Sequence, residues 1–172
     1  FDAGTHESLV EAASYIMSMH RPLEKMQLEE KKSHKVVAGF LLYNARKYLA
    51  EFLNSIKSQD YSNISLMALD NNEDEQNEDV KFLKENFPEI QIVRPGTNTG
   101  FGFGHNILIQ AARTAGAEFY AALNFDMILE HNFISELMNT ILKNPKICST
   151  TGKIMRWDFN NRDRWGNEGR TN

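Results

Sequence analysis

Short apolar runs alternate with amphipathic segments along most of this chain, and that alternation limits the folds open to it. Strands are predicted at residues 35–42, 64–69, 90–94, 117–123 and 147–154. Helices are predicted at 45–59, around Val80, Leu83 and Phe87, at 104–114 and at 132–143, with Pro88 ending the second. Strands that alternate with helices of this length form right-handed βαβ units. The pattern predicts an α/β fold: a mainly parallel sheet with helices on both faces.

The first 32 residues differ in composition from the rest. Apolar residues at helical spacing predict an extra N-terminal helix over 7–20, which Thr5 is placed to cap, and a charge-dense linker follows. We therefore expect a tail helix and linker at 1–32 and the α/β domain at 33–172. The chain lacks an initiator methionine and has few aliphatic residues after Arg156, so we expect a piece of a longer protein whose α/β domain is truncated at its C-terminal side.

Composition and charge exclude several classes of protein. Hydrophobic residues make up 41% of the 172 positions, which argues against a disordered chain. Nineteen Lys and Arg against 23 Asp and Glu give a net charge of −4, so nucleic acid is not an expected partner. No apolar run approaches the roughly 18–20 residues that cross a bilayer. The single cysteine, Cys148, cannot form an internal disulfide, and we expect it to be buried in a cytoplasmic protein.

Polar residues follow four of the predicted strands, where an open parallel sheet binds its ligands. Tyr43 and Asn44 follow the first strand, Asp70, Asn71 and Asn72 the second, residues 98–106 the third, and Asn124 and Asp126 the fourth. Asp70 could accept hydrogen bonds from a ribose or a base, or it could cap a helix or form an Asx turn. We expect the four stretches to form one rim.

Two of these stretches point to phosphate chemistry. Gly100, Gly102 and Gly104 would let the backbone approach a diphosphate at a helix start. A dinucleotide fingerprint would need glycine where His105 stands, which argues against an oxidoreductase. Asp126 suits Mg²⁺ or Mn²⁺, although a loop aspartate can also simply cap a turn. The histidines lack zinc-ligand spacing.

Residues 35–163 resemble the family-two nucleotide-sugar glycosyltransferases of GT-A fold, especially the rhamnosyltransferase-like members. The resemblance is carried by GFLLYN, ALDNN, NTGFGFGHN and LNFDMIL. It implies that Asp126 holds Mg²⁺ or Mn²⁺ on the donor diphosphate, that Asp70 contacts the nucleoside, and that residues 98–106 line the donor pocket. Asn124, Phe125 and His105 depart from residues common in the family. The implied donor contacts are Tyr43, Asn44, Asp70, Asn71, Asn98, Gly100, Phe101, Gly104, His105, Asn106 and Asn124.

The resemblance also implies a reaction. A family-two enzyme transfers a sugar with inversion to an acceptor hydroxyl, which an enzyme carboxylate deprotonates. That base lies beyond residue 172 by the resemblance, so this chain is expected to bind donor without efficient transfer. The implied acceptor is a glycan or a lipid-linked glycan in cell-surface polysaccharide synthesis, with peripheral association at the inner face of the membrane. A non-catalytic nucleotide-binding module is the alternative.

The segment FDAGTHESLVEAASYI resembles the end of the catalytic region of glucose-1-phosphate thymidylyltransferases. Asp2 matches the metal-binding aspartate of their D-x-G-T motif. The two resemblances together imply a fragment of a bifunctional protein that makes an activated sugar and transfers it, with a thymidine-linked donor such as dTDP-rhamnose. The alternative is that residues 5–20 are only a packing helix.

Overall fold

The computed structural model describes residues 33–74 and 76–155. Within them, strands and helices alternate throughout: β1 (Val36–Leu42), α1 (Arg46–Lys57), β2 (Ile64–Asp70), α2 (Glu78–Asn86), β3 (Gln91–Val93), α3 (Gly100–Thr114), β4 (Phe119–Ala122) and α4 (Phe133–Lys143). The predicted alternation is confirmed. The helix expected at 7–20, the linker after it and the residues beyond 155 lie outside the described residues.

The four strands form one parallel sheet in the order β3-β2-β1-β4. In register, Leu42 at the end of β1 lies beside Asp70 at the end of β2, and Gly39 lies beside Ala122 of β4. Because every strand runs the same way, the carboxyl ends of all four lie along one edge. The sheet therefore brings the polar stretches that follow the strands to the same side of the molecule.

Helices cover both faces of the sheet, as expected. All seven residues of β1 are buried, and alternate side chains point to opposite faces. Ala38, Phe40 and Leu42 belong to a core shared with α1 and α2, in which the rings of Phe40 and Phe52 meet edge to face at 5.1 Å. Val37 and Leu41 face α3 on the other side. The continuous apolar run of β1 follows from burial on both faces.

Gly39 of β1 makes room for an aromatic residue of the neighbouring strand. A Cβ at this position would fall on the hydroxyl of Tyr120 in β4, so a larger residue would displace that ring. Tyr120 packs against the core between the sheet and α3. The glycine thus allows a tyrosine hydroxyl to lie directly over the sheet.

Two sequence expectations are wrong. Residues 147–154 form no strand, because apart from half-buried Ile147 the segment presents small, polar or exposed residues and so has no apolar face to bury. For the same reason Cys148 is exposed rather than buried. Gly152 instead lies against the ring of Phe133 in α4.

Helix α3 begins at Gly100, four residues before its predicted start at 104. The glycine-rich stretch is therefore its first turn, stabilised where the side chain of Asn98 accepts a hydrogen bond from the Gly100 N–H at 2.9 Å. Glycines lower helix propensity, which is why the sequence suggested a loop. Of the helices described, none has both the length and the apolar character needed to span a bilayer.

Candidate functional site

An open cleft of about 840 Å³ lies at the carboxyl ends of β1 and β2. It contains three of the predicted donor contacts, Tyr43, Asn44 and Asn98, together with residues that the sequence did not single out. The cleft is lined by Tyr43, Asn44, Arg46, Lys47, Asn72, Glu73, Asp74, Asn77, Glu78, Asp79 and Asn98.

Asp70 is fully buried at the end of β2, and protein groups engage both of its carboxylate oxygens. Oδ1 accepts from the Asn72 N–H at 3.1 Å and from Asn72 Nδ2 at 3.0 Å. Oδ2 accepts from Asn77 Nδ2 at 3.1 Å and pairs with Arg94 Nε at 2.9 Å. The structure thus places Asp70 outside the set of cleft-lining residues, at the centre of a hydrogen-bonded network. A buried charge requires such partners.

Asn71 joins the end of β2 to the start of α3. Its backbone N–H donates to the carbonyl of Leu42 at 2.9 Å. Its side-chain oxygen accepts from the Thr99 N–H at 2.8 Å and from the Thr99 hydroxyl at 2.9 Å. Asn71 is 4% exposed, so it holds two elements of the rim together.

The first turn of α3 presents the predicted glycine-rich stretch. Gly100, Phe101 and Asn106 are exposed. A Cβ at Gly104 would lie 3.0 Å from the Leu41 side chain, so glycine lets the helix approach β1 closely. No acidic residue lies in this first turn. A helix N-terminus of this kind favours an anion.

His105 is buried beneath this turn, with 5% of its surface exposed. Its Nδ1 lies 2.7 Å from the Tyr120 hydroxyl, and its ring meets that of Phe101 edge to face at 4.5 Å. Nε2 is buried without a hydrogen-bond partner within the described residues. Burial lowers the pKa of His105 and raises the pKa of Tyr120. The pair is therefore neutral at neutral pH.

Asp126 lies in the loop between β4 and α4 and is exposed. The loop follows Leu123, whose N–H donates to the Gly39 carbonyl at 2.9 Å, and Phe125 packs into the core with its ring 6.3 Å from that of Tyr48. Within the described residues, the carboxylate of Asp126 has no hydrogen bond or ion pair, and neither has the exposed side chain of Asn124. The carboxylate oxygens of Asp126 are therefore available to a ligand from solution.

A divalent cation fits this arrangement. No group of three or more His, Cys, Asp or Glu residues in the described ranges could enclose a metal ion. Mg²⁺ and Mn²⁺ do not require such a cage, because they are commonly bound by one or two carboxylates together with substrate phosphates and water. Asp126 is the carboxylate that would hold the ion.

The loop that carries Asp126 is tied to α1 and to the segment just after that helix by residues that the sequence did not indicate. The Leu129 N–H donates to the Ser55 hydroxyl at 3.1 Å. Gln59 donates to the Glu130 carbonyl at 2.7 Å and accepts from the Ile134 N–H at 3.0 Å. Nothing in the sequence marks a serine and a glutamine near a helix end for this role.

Arg46 and Lys47 could have been found from sequence. Both lie in the first turn of α1, where the helix dipole disfavours cations. Arg46 packs over the ring of Phe82 at 4.0 Å, and both basic residues line the cleft. Basic residues in the first turn of a helix, where they do not stabilise it, indicate a role other than helix stability.

Comparison with solved structures shows the same fold in glycosyltransferases. S. aureus TarS 1–349 matches with a TM-score of 0.51 and 22% identity over 63% of this chain. TarS 1–349 in complex with UDP-GlcNAc matches with a TM-score of 0.52 and 21% identity, also over 63%. Mannosyltransferase PcManGT from Pyrobaculum calidifontis, in complex with GDP-Man and Mn²⁺, matches with a TM-score of 0.54 and 15% identity over 75%. The chain covers 32%, 31% and 39% of these structures' own length.

No curated protein matches the chain. The profile of the family described as "Glycosyl transferase family 2" matches residues 41–171, a range that takes in β1 from Leu41 onward, the cleft and the Asp126 loop. The matched range is about three quarters of the sequence, and the parallel sheet with helices on both faces agrees with the GT-A fold of the matched structures. The chain belongs to glycosyl transferase family 2.

Proposed function

We propose that this chain is the donor-binding part of an inverting glycosyltransferase, and that it binds a nucleoside-diphosphate sugar with the help of Mg²⁺ or Mn²⁺. The observation that carries the proposal is Asp126. It is an exposed carboxylate with no protein partner in the described residues, and it follows β4 at the same sheet edge as the cleft. Complexes of related fold with UDP-GlcNAc and with GDP-Man and Mn²⁺ support it.

Charge in the cleft favours one orientation of the donor. Its lining has four carboxylates, Glu73, Asp74, Glu78 and Asp79, against Arg46 and Lys47. This negative balance repels a diphosphate, whereas ribose and base groups can donate hydrogen bonds to carboxylates. The nucleoside therefore occupies the cleft, and the diphosphate lies toward Asp126 and the first turn of α3.

Asp126 would hold the divalent cation, which would supply positive charge to neutralise the leaving diphosphate. The residues of this chain position the donor: the loop ties to α1 hold Asp126, and the glycine-rich turn lets backbone amides approach the phosphates. The base that deprotonates the acceptor hydroxyl lies outside these 172 residues. By themselves they bind donor but transfer sugar far more slowly, because a positioned base contributes about 10²–10⁴-fold.

The donor and acceptor classes are part of the proposal. The thymidylyltransferase-like segment at residues 1–16 supports a thymidine-linked donor such as dTDP-rhamnose. The family resemblance supports a glycan or lipid-linked acceptor in cell-surface polysaccharide synthesis, in the cytoplasm at the inner face of the membrane.

A thermal-shift panel tests the proposal. The chain is melted with dTDP, UDP, GDP and ATP, each with and without Mn²⁺, because only a ligand of the folded state raises the melting temperature. We expect at least one nucleoside diphosphate to stabilise the chain, and more strongly with Mn²⁺ than without it. Absence of any shift at millimolar nucleotide, with or without the metal, would contradict the proposal.

A further inference from the structure

We propose that Asn72 is a positioning residue for donor binding, which fixes the turn between β1 and α1 where it lines the cleft. The inference rests on the proposed function. Asn72 lies in the loop after β2, and it holds the part of the cleft wall formed by the turn between β1 and α1.

The turn adopts a backbone conformation that needs support. Asn44 has φ of 52°, and it is the one residue other than glycine with positive φ in the described ranges. This left-handed region is uncommon outside glycine, although asparagine tolerates it better than most residues. Such conformations persist where the surrounding structure holds them.

Two side chains hold the turn: Asn72 from the loop after β2 and Asp79 from the first turn of α2. The Asn44 N–H donates to Asn72 Oδ1 at 3.3 Å, and the next N–H, that of Ala45, donates to Asp79 Oδ2 at 2.9 Å. The backbone of Asn44 is in the left-handed region and that of Ala45 is in the right-handed helical region. Adjacent residues in these two conformations point their successive N–H groups to the same side, where acceptors can bind both. Ala45 is the N-cap of α1 and makes no side-chain cap of its own. Asp79 therefore caps the helix start at Ala45, and Asn72 holds the residue before it.

Asn72 connects the turn to both buried carboxylates. Its Nδ2 donates to Asp70 Oδ1 at 3.0 Å and to Asp79 Oδ2 at 3.2 Å, and it lies 3.4 Å from the Leu42 carbonyl. An amide side chain can make these contacts because it has two N–H donors for the carboxylates and an oxygen acceptor for the Asn44 N–H. Aspartate here would add a third carboxylate, and alanine would leave the Asn44 N–H without its acceptor.

The turn matters for binding because Tyr43 and Asn44 both line the cleft, and Tyr43 is 53% exposed there. A donor that contacts this wall binds the turn in one conformation. Without Asn72 the turn populates that conformation only part of the time, and the apparent Kd rises by the inverse of the population. If the turn adopts that conformation about one tenth of the time, the apparent Kd rises about tenfold.

Calorimetry on the 172-residue chain tests this with dTDP, UDP and GDP in the presence of Mn²⁺, using the nucleotide that the unaltered chain binds most tightly. We expect Asn72→Ala to raise its Kd about tenfold. The matched control is Asn86→Ala, since Asn86 is exposed and its side chain donates to the Phe82 carbonyl at 3.0 Å on α2. It should change Kd by no more than about twofold.

A second background separates positioning from a merely structural loss. Glycine adopts positive φ without strain, so Asn44→Gly makes the turn less dependent on Asn72. In that background Asn72→Ala should raise Kd less than about threefold. An equal rise in both backgrounds, or no rise in either, would overturn the proposal. If Asn72→Ala does not fold, Asn72→Ser replaces it in both backgrounds and is judged by the same comparison.

These outcomes are distinct from failure of the proposed function. If the unaltered chain binds none of the three nucleotides, the proposed function fails and this inference fails with it. If the unaltered chain binds and the Asn72 variants bind equally well, only the positioning role is wrong.

Discussion

Asp70 and Asp126 illustrate how two carboxylates in similar sequence positions acquire different roles. Asp70 is the last residue of β2 and Asp126 follows β4, so both lie at the same edge of the parallel sheet. Asp70 is surrounded by amide donors from Asn72 and Asn77 and by Arg94, so its oxygens are engaged by the protein. Asp126 is exposed and lacks such partners in the described part of the chain. The carboxylate that the protein does not use is the one suited to an external cation.

His105 gives a pH prediction at the scale of one residue. Burial lowers its pKa in the folded chain, so below about pH 6.5 the unfolded chain binds more protons and folding stability falls as the pH is lowered. His105→Gln removes this contribution. We expect the melting temperature of the variant to fall less between pH 7.5 and pH 5 than that of the unaltered chain.

The other titrating groups are common to both proteins, so the difference between their melting curves isolates His105. Parallel decreases in melting temperature over this pH range would show that burial of His105 does not couple its protonation to folding.

At the scale of the elements, Ser55 of α1 supports the loop that carries Asp126. Ser55 is buried, donates to the Phe52 carbonyl at 2.7 Å and accepts from the Leu129 N–H. Ser55→Ala leaves that buried N–H without an acceptor, which costs about 1–3 kcal/mol of unfolding free energy. Urea denaturation measures the difference. Ser65→Ala, on an exposed position of β2, should stay within about 0.5 kcal/mol.

A cost for Ser55→Ala as small as that of the Ser65 control would mean that the loop is held by other contacts. The bonds made by Gln59 would then be the next to remove.

The elements with strong periodicity could be predicted from sequence. β1 is a continuous apolar run because it is buried on both faces, and α1 shows Leu49, Phe52, Leu53 and Ile56 at helical spacing because that side packs on the sheet. The start of α3 could not be predicted, since side chains of Asn71 and Asn98 stabilise a glycine-rich first turn from outside the helix. The missing strand at 147–154 shows that β-branched residues do not form a strand when the segment has no apolar face to bury.

The place of the candidate cleft at the sheet edge could be predicted from the sequence, but the hydrogen bonds that hold its walls could not. A parallel sheet brings residues after its strands to one edge, which is why Tyr43, Asn44 and Asn98 were expected near one another and line one cleft. Asn72, in the loop after β2, donates hydrogen bonds to Asp70 at the end of β2 and to Asp79 in the first turn of α2. Such contacts depend on the register of two strands and the placement of α2, and local sequence carries no signal for either.

At the scale of the whole molecule, the choice of nucleotide tests whether residues 1–16 report on the pathway. If the chain belongs to a protein that both makes and transfers a thymidine-linked sugar, the cleft should prefer dTDP. We expect dTDP to displace a fluorescent nucleotide at lower concentration than UDP or GDP. Tighter binding of UDP or GDP than of dTDP would contradict the thymidine-linked donor, but it would not contradict donor binding itself.

The central claim is that this sheet edge binds a nucleoside diphosphate through a cation held by Asp126. Its most direct test is calorimetric titration of the tightest-binding nucleotide, with and without Mn²⁺, into the unaltered chain, Asp126→Ala and Glu130→Ala. Glu130 is an exposed carboxylate of the same loop and serves as the charge-matched control. We expect Mn²⁺ to tighten binding about tenfold, or about 1.4 kcal/mol, in the unaltered chain and in Glu130→Ala, and to have no effect in Asp126→Ala. A response to Mn²⁺ in Asp126→Ala equal to that of the unaltered chain would contradict the claim.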